Sequence, residues 1–371
     1  MKLKIKKEIL LTNLNNVSKA LSNKNLIPAL NGIKFELNEN GLYLLASDDD
    51  IIIQSFINQK DIKNIDNYGS IVVPGKYILE IIRKLPTEEI LIETDGSKIL
   101  ITTETGEYNL NGIDSNEYPN YNLQLSKNPI ILSTNILKTA INQTAFAISN
   151  QEARPLLTGI NFKIENNNLE IVATDSYRLA KKIITLKKQQ KNKIDITIPG
   201  KNLIELIKIL EENDDNIEIH VFSTSVLFKF NNILLQSRIL NGSYPNVNNL
   251  ISEKYDTKII VDNQLLFDTI DRVSLIMEKE KNIIQLQGEN KDIIITASSL
   301  EIGKVEEKIN LISDISKKIK ITFNSKFMLE SLRSLESKEV EIQFNGDMKP
   351  IIIKDPNNDN LIQLILPIKT Y

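Results

Sequence analysis

Apolar residues recur at helical spacing in three segments of this chain, and the three segments resemble one another. They read VPGKYILEIIRKL at 73–85, IPGKNLIELIKIL at 198–210 and FNSKFMLESLRSL at 323–335. Apolar residues stand three and four positions apart in each, which predicts a helix with one buried face. The first two segments share six of 13 residues, and the three starts are 125 residues apart each time. Because solenoid repeats are usually about 20–50 residues long, this interval predicts tandem domains.

Other segments repeat near the same interval. LLASD at 44–48 matches IVATD at 171–175, and IITAS at 294–298 is a fainter third copy. The repeat therefore covers whole domains and not one helix. Polar, linker-like stretches place the boundaries, and we predict three similar domains at 1–125, 126–253 and 254–371.

Alternating apolar and polar residues predict strands around each repeated helix. In the first repeat we predict one helix over about 8–22 and a second over about 74–85. The predicted strands of this repeat lie near 32–37, 41–47, 50–57, 89–94, 98–103 and 107–112. In the third repeat a helix is predicted over 262–278. Runs of strands with separate helices are typical of α+β domains with mainly antiparallel sheet.

Composition narrows the class of protein. Hydrophobic residues make up 41% and charged residues 25%, as in soluble globular proteins. The absence of cysteine excludes disulfides, thiolate metal sites and a cysteine nucleophile, and it suits a cytoplasmic location. No apolar run is long enough for a membrane helix, and no signal-peptide pattern opens the chain. The net charge of −3 argues mildly against a protein that binds DNA by neutralising many phosphates.

Few residues suit catalysis or metal binding. The single histidine, His220, lies in an alternating strand pattern and is best interpreted as structural. SDDD at 47–50 could bind Mg²⁺, although a solvated turn is the favoured interpretation. Asp175 could be a catalytic acid, but no base is predicted beside it. The glycine-rich phosphate loops of nucleotide-binding proteins are absent from the sequence.

Four motifs, however, carry a resemblance to a known family. They are ATDSYRLA at 173–180, EARPLLTGI at 152–160, NGSYPNVNNLI at 241–251 and the C-terminal MKPIIIKDPNNDNLIQLILPIKTY. With them, essentially the whole chain resembles the bacterial DNA polymerase III beta subunit, the replicative sliding clamp. The resemblance implies a homodimeric ring of six domains, with two helices of each domain lining a central hole and antiparallel sheets outside.

The resemblance also implies the partners. They are duplex DNA without sequence preference, a second copy of the chain and, through short linear motifs, the DNA polymerase III alpha subunit, the clamp loader and repair polymerases. No membrane, cofactor or catalytic residue is implied. The ring would act as a processivity factor, which keeps the polymerase beside the DNA.

Three sets of residues match functional positions of the family. The DNA-binding set is Lys24, Gln151, Arg154 and Lys201, to which the repeat adds the helix-start lysines Lys76 and Lys326; Arg83 is added as a basic residue of the same helix as Lys76. The partner-peptide groove is predicted at Leu157, Thr174, Ser176, Tyr177, Arg178, Leu179, Pro245, Leu250, Leu364, Ile365, Leu366, Pro367 and Ile368. The dimer interface is predicted at Tyr108, Leu110, Leu275 and Ile276. Solvated lysines and ordinary core strands would explain the same residues equally simply.

Two other classes of function stay open at this point. One is a repeat-built scaffold that binds proteins but not DNA. The other is a metal-dependent hydrolase that uses Asp48, Asp49, Asp50 or Asp175. A ring would persist on circular DNA and slide off linear DNA, whereas a hydrolase would lose divalent-metal binding when Asp48 or Asp175 is replaced by alanine.

Overall fold

A computed structural model describes residues 1–22, 26–189, 193–211, 213, 215–251, 254–277, 282–312 and 314–369. Among them are six α-helices: α1 Lys7–Val17, α2 Gly75–Lys84, α3 Thr134–Ala145, α4 Gly200–Ile209, α5 Asn263–Ser274 and α6 Ser325–Ser334. None of the helices found in these ranges is long and apolar enough to cross a membrane.

The strands fall into three groups along the chain. The first group is β1 Lys2–Lys6, β2 Gly32–Asn38, β3 Gly41–Ser47, β4 Ile51–Asn58, β5 Ile62–Asn67, β6 Gly69–Pro74, β7 Glu89–Asp95, β8 Lys98–Thr102 and β9 Glu107–Asn111. The second is β10 Ile130–Ser133, β11 Gly159–Glu165, β12 Asn168–Thr174, β13 Arg178–Thr185, β14 Ile194–Pro199, β15 Asn216–Val221, β16 Ser225–Phe230 and β17 Ile233–Arg238. The third is β18 Thr257–Asp262, β19 Ile283–Glu289, β20 Asp292–Ser299, β21 Gly303–Asn310, β22 Ile319–Asn324, β23 Glu339–Phe344, β24 Ile351–Asp355 and β25 Asn358–Ile365.

Most elements predicted for the first repeat are confirmed within one or two residues, with two kinds of error. The first helix is shorter than predicted, because a 3₁₀ turn at Ser18–Ala20 follows α1, and α5 likewise ends at Ser274. Strands β5 and β6 were not predicted. The mostly exposed, polar sequence of β5, IKNIDN, offers little alternation to detect.

One compact unit comprises Met1–Asn135 and Lys201–Ile239. It holds a five-stranded sheet in the order β5-β1-β7-β8-β9 and an eight-stranded sheet in the order β10-β15-β16-β17-β4-β3-β2-β6. Helices α1 and α2 pack on each other, and α1 packs on β4. Their buried stripes, which include Leu10, Leu14, Ile78 and Ile82, explain the helical spacing in the sequence.

The other compact unit comprises Ile136–Gly200 and Leu240–Tyr371. It holds an eight-stranded sheet in the order β14-β11-β12-β13-β25-β24-β23-β18 and a four-stranded sheet in the order β21-β20-β19-β22. Helices α5 and α6 pack together, and Leu266, Ile270, Met328 and Leu332 are buried in one apolar cluster with the neighbouring strands. Burial of such a stripe is what holds a short helix in place.

Every repeat builds the same two antiparallel ladders. One has the order β6-β2-β3-β4, β14-β11-β12-β13 or β22-β19-β20-β21, and the other has the order β1-β7-β8-β9, β10-β15-β16-β17 or β18-β23-β24-β25. Antiparallel sheets and separate helices confirm the predicted α+β class, and the matched ladders confirm three similar folds in tandem.

Ladders of successive repeats join edge to edge, and both joints have the same register. In the first joint β4 pairs with β17, and Ile53 lies opposite Leu235. In the second β13 pairs with β25, and Ala180 lies opposite Gln363. Adding 127 to the number of Ile53 and 128 to the number of Leu235 gives the second pair, Ala180 and Gln363. In the first repeat β9 is the counterpart of β17 and β25, and in the third repeat β21 is the counterpart of β4 and β13. Within the described ranges, each of these two strands pairs with one neighbour only.

Candidate functional site

The turn between β12 and β13 carries the most distinctive motif, and its own side chains fix its shape. The Asp175 carboxylate accepts the backbone N–H groups of Tyr177 at 2.9 Å and Arg178 at 3.0 Å. The Thr174 hydroxyl donates to the Arg178 carbonyl at 2.6 Å, and Ser176 has a positive φ of 79°. Asp175 is therefore a turn-forming residue. The turn leaves the side chains of Ser176 and Tyr177 exposed to solvent.

Arg178 is buried on the side of the sheet that faces α6. Its Nε donates to Asp175 Oδ2 at 3.0 Å, and its Nη1 donates to Glu330. The guanidinium also lies over the rings of Phe146, at 5.4 Å, and Phe327, at 4.4 Å. These contacts satisfy the charge inside the protein. The buried Arg178 side chain thus stabilises the turn from the α6 side of the sheet.

An apolar cluster lies beside this turn, around the joint of β13 and β25. Its members are Val172, Leu179, Val247, Ile352 and Leu364, which are buried, and Tyr244, Ile251, Ile362 and Leu366, which are partly buried. The N–H of Leu366 donates to the Tyr177 carbonyl at 2.9 Å, which holds the C-terminal segment against the turn. Three predicted groove residues close in sequence to members of this cluster are exposed to solvent: Tyr177, Pro245 and Leu250. Ile365 is fully buried, and the N–H of Ile368 donates to the Thr322 carbonyl at 2.7 Å.

Tyr244 connects the cluster to the turn. Its hydroxyl oxygen accepts the backbone N–H of Thr174 at 3.0 Å. Burial raises the pKa of the Tyr244 hydroxyl, so the side chain stays neutral at physiological pH. The predicted groove set omits Tyr244, although the motif NGSYPNVNNLI at 241–251 contains it and was a signal that could have found it.

An open cleft of about 500 Å³ lies next to the turn. It is lined by Arg154, Pro155, Leu156, Leu157, Ser176, Asn241, Ser243 and Pro245. Arg154 Nη1 donates to Ser176 Oγ at 3.1 Å across one side. Gly242 has a φ of +121°, and a Cβ there would lie 2.9 Å from Leu156 Cδ1, so glycine is required for this approach. Leu157, Ser176 and Pro245 of the predicted groove therefore share one cleft.

The predicted DNA-binding residues are spread over several elements. Lys76, Lys201 and Lys326 are each the second residue of α2, α4 and α6, and all three are exposed. Arg83 donates to Glu80 on its own helix. Gln151 and Arg154 are exposed in the segment before β11. Lys24 lies outside the described residues.

The acidic run at 47–50 forms a turn. The Asp48 carboxylate accepts the N–H groups of Asp50 at 3.1 Å and Ile51 at 3.0 Å. Asp50 pairs with Lys201 at 2.6 Å and with Arg238. These contacts confirm the favoured interpretation of a turn. In the ranges that the structure describes, no group of three or more acidic or histidine side chains is arranged to hold a metal ion.

His220 is a structural residue, as predicted. It is buried in β15, where Nδ1 accepts the backbone N–H of Ser126 at 2.9 Å. Its Nε2 lies 3.1 Å from a carboxylate oxygen of Glu218. Both ring nitrogens are therefore satisfied.

The predicted interface residues lie at two element ends. Tyr108 and Leu110 belong to β9, and Leu275 and Ile276 directly follow α5. Tyr108 is 38% exposed and Leu275 is 78% exposed. Large apolar side chains at this exposure are available to a partner.

Comparisons with known proteins match the whole chain. Models of the N-terminal, central and C-terminal domains of the DNA polymerase III beta subunit match residues 1–122, 131–246 and 248–369. The beta sliding clamp of Staphylococcus aureus is 39% identical over the full length of both chains. The crystal structure of the DNA polymerase sliding clamp from Bacillus subtilis is 39% identical, with a TM-score of 0.96. That of the DNA polymerase III beta chain from Streptococcus pneumoniae is 32% identical, with a TM-score of 0.95. Both structures cover all of this chain and are covered by it.

Proposed function

The chain belongs to the DNA polymerase III beta subunit family, the bacterial sliding clamps, and from this premise we propose that two copies close into a ring around duplex DNA. Membership confirms the predicted family, the clamp domains and the non-catalytic role in DNA replication. The ring itself, its domain boundaries at 1–125, 126–253 and 254–371, and its action in the cytoplasm are parts of the proposal.

The shared register of the two joints inside the chain is the observation that carries the ring. If the same contact is made a third time, β21 of one copy must pair with β9 of the other. A contact between two different surfaces that repeats with one rotation closes into a ring when the rotation fits. Two chains then supply six joints, four within the chains and two between them.

The register of the third joint follows from the ladders. The two-residue turns of the β11–β12 and β19–β20 hairpins align Asn168 with Asp292 and therefore Ala173 with Ala297; Ala173 pairs with Ala180, and Ala297 pairs with Val305. Val305 is therefore the counterpart of Ala180.

The other strand follows in the same way. Ile92 pairs with Ile101 and Ile101 with Tyr108, as Ile219 pairs with Phe228 and Phe228 with Leu235. Tyr108 is thus the counterpart of Leu235, and Val305 of one subunit is proposed to lie opposite Tyr108 of the other. This register brings Leu110 of the predicted interface into the same strand pair.

DNA is proposed to pass through the ring without tight contacts. The helix-start lysines Lys76, Lys201 and Lys326, with Lys24, Arg83, Gln151 and Arg154, are proposed to meet the phosphates. Because a closed ring cannot leave DNA sideways, few phosphate contacts suffice, which accounts for the net charge of −3. The tethered polymerase stays near the primer end at a raised effective concentration.

The cleft and the apolar cluster are proposed as the docking groove for partner peptides. An extended peptide needs apolar recesses for its anchor side chains and polar groups at the rim, and the cluster around Leu179 with the rim at Arg154 and Ser176 offers both. The proposed occupants are linear motifs of the alpha subunit, the clamp loader and repair polymerases. The predicted groove residues from Leu157 to Ile368 stay assigned to this role, with Arg178 in support.

Retention on DNA tests the ring. A clamp loaded onto a nicked circle should persist through gel filtration, and linearisation with a restriction enzyme should release it. Equal retention on both DNA forms, or a native mass equal to one chain of 42.2 kDa, would contradict the proposal.

A further inference from the structure

Asp50 holds two cations that belong to the next repeat. Its carboxylate lies 2.6 Å from Lys201 Nζ and also accepts from Arg238 Nε. The Asn202 side chain donates to the Asp50 backbone carbonyl at 3.1 Å, which fixes the turn beside the start of α4. Burial raises the pKa of the Asp50 carboxyl, but the two cations lower it by more, so the group is ionised at neutral pH.

The equivalent lysines lack such a partner. Lys76 and Lys326 occupy the same helix position as Lys201, yet no carboxylate pairs with either of them in the part of the chain that the structure describes. For Lys326 the register of the joints explains the difference, because the counterpart of Asp50 in the second joint is Tyr177. The clamping of a helix-start lysine is therefore present in the first joint and absent from the second.

We propose that Asp50 lowers the DNA affinity of the ring by holding Lys201 and Arg238 in internal ion pairs. DNA phosphates must then compete with Asp50 for these two cations. The inference rests on the proposed function, since Lys201 must face the duplex for it to hold. The Lys201 side chain is 61% exposed while paired, so a phosphate can reach it without any rearrangement of α4.

The physical reason is competition between two anions. A free lysine that meets a phosphate releases a condensed counterion, and this release supplies most of the sequence-independent affinity. A lysine already paired with a carboxylate must break that pair first, so its net contribution is smaller. Lower affinity at this point favours sliding over static binding.

Asp50→Asn tests the proposal, because asparagine keeps the shape of the side chain and removes the charge. Binding of the purified dimer to a short linear duplex would be followed by fluorescence anisotropy from 50 to 200 mM salt. We expect the variant to bind the duplex more tightly than the native protein at 50 mM salt. For each cation that the substitution frees, the rise from 50 to 200 mM salt should lower the affinity of the variant about 3-fold more than that of the native protein. Asp49→Asn, an equal charge change in the same turn, is the control and should leave most of the affinity unchanged.

A double-mutant cycle makes the test specific. In a Lys201→Gln, Arg238→Gln background, Asp50→Asn should have no further effect on affinity or on its salt dependence. An effect of Asp50→Asn that persists in this background, or equal effects at Asp49 and Asp50, would overturn the proposal. Failure of the native protein to persist on circular DNA would instead overturn the ring, so the two failures can be told apart.

Discussion

The guanidinium carbon of Arg178 lies 4.4 Å from the centroid of the Phe327 ring. The same group pairs with Asp175 and Glu330, so one buried cation connects the turn after β12 to helix α6. Removal of the cation would leave two carboxylates without their partner in a largely desolvated place.

Arg178→Gln should therefore lower the free energy of unfolding by about 3 kcal/mol. Urea denaturation and hydrogen exchange of the β25 amides would measure the loss. Arg333→Gln is the matched control, because Arg333 lies over the Phe267 ring but is exposed, and its removal should cost about 0.5–1 kcal/mol. Similar losses in both variants would contradict the supporting role of Arg178.

Leu366→Ala should weaken the binding of partner peptides by about tenfold, because Leu366 packs on the groove cluster while partly exposed. Titration of a synthetic peptide with the clamp-binding segment of the alpha subunit would measure it. Met348→Ala, at an apolar side chain that is 49% exposed, is the control. Truncation before Ile365 is a poorer test, because Ile365 is fully buried opposite Arg178. Unchanged peptide affinity in Leu366→Ala would place the groove elsewhere.

Tyr108→Cys combined with Val305→Cys should give a disulfide-linked dimer on mild oxidation. The natural chain has no cysteine, so no other disulfide competes. The matching pairs Ile53–Leu235 and Ala180–Gln363 lie between hydrogen-bonded positions, where opposed Cα atoms are about 4.5 Å apart and suit a disulfide. Non-reducing electrophoresis would show a band at twice the monomer mass. Tyr108→Cys with Glu307→Cys, two residues out of register, should link poorly, and efficient linking there would refute the register.

Acid should weaken the edge of the five-stranded sheet through Glu89. Hydrogen bonds from Lys4, at 2.8 Å, and from Lys63 lower the pKa of Glu89 from 4.5 to about 2. A lowered pKa contributes stability that is fully present above the unfolded value of 4.5 and is lost as the pH falls through about 2.

The Glu89→Gln variant removes this contribution at every pH. Its stability should fall less steeply between pH 4.5 and pH 2 than that of the native chain. Thermal unfolding across this pH range would show the difference, with the exposed Glu104→Gln as the control. Parallel pH profiles for all three proteins would contradict the prediction.

Local patterns located the elements that bury one stripe or one face, such as α2 and α6, because that burial imposes a period on the sequence. They could not show that β4 joins β17, since pairing between repeats is set by edges that no local window contains. Arg178 was predicted as a groove residue from the motif, and its burial beneath the turn depends on Phe146 and Phe327, which are distant in sequence. The pairing of Asp50 with Lys201 was hidden for the same reason.

The free sides of β9 and β21, the two strands proposed to join between subunits, also have a consequence for the newly made chain. An unpaired edge can recruit any extended strand, and this makes it a starting point for aggregation. Charges along β21, at Lys304, Glu306, Glu307 and Lys308, discourage such recruitment. On the proposed assembly, closing the ring covers both edges and each opening for loading exposes them again. At a cellular concentration too low for dimers to form, both edges would stay exposed, and aggregation of the monomer would compete with ring assembly.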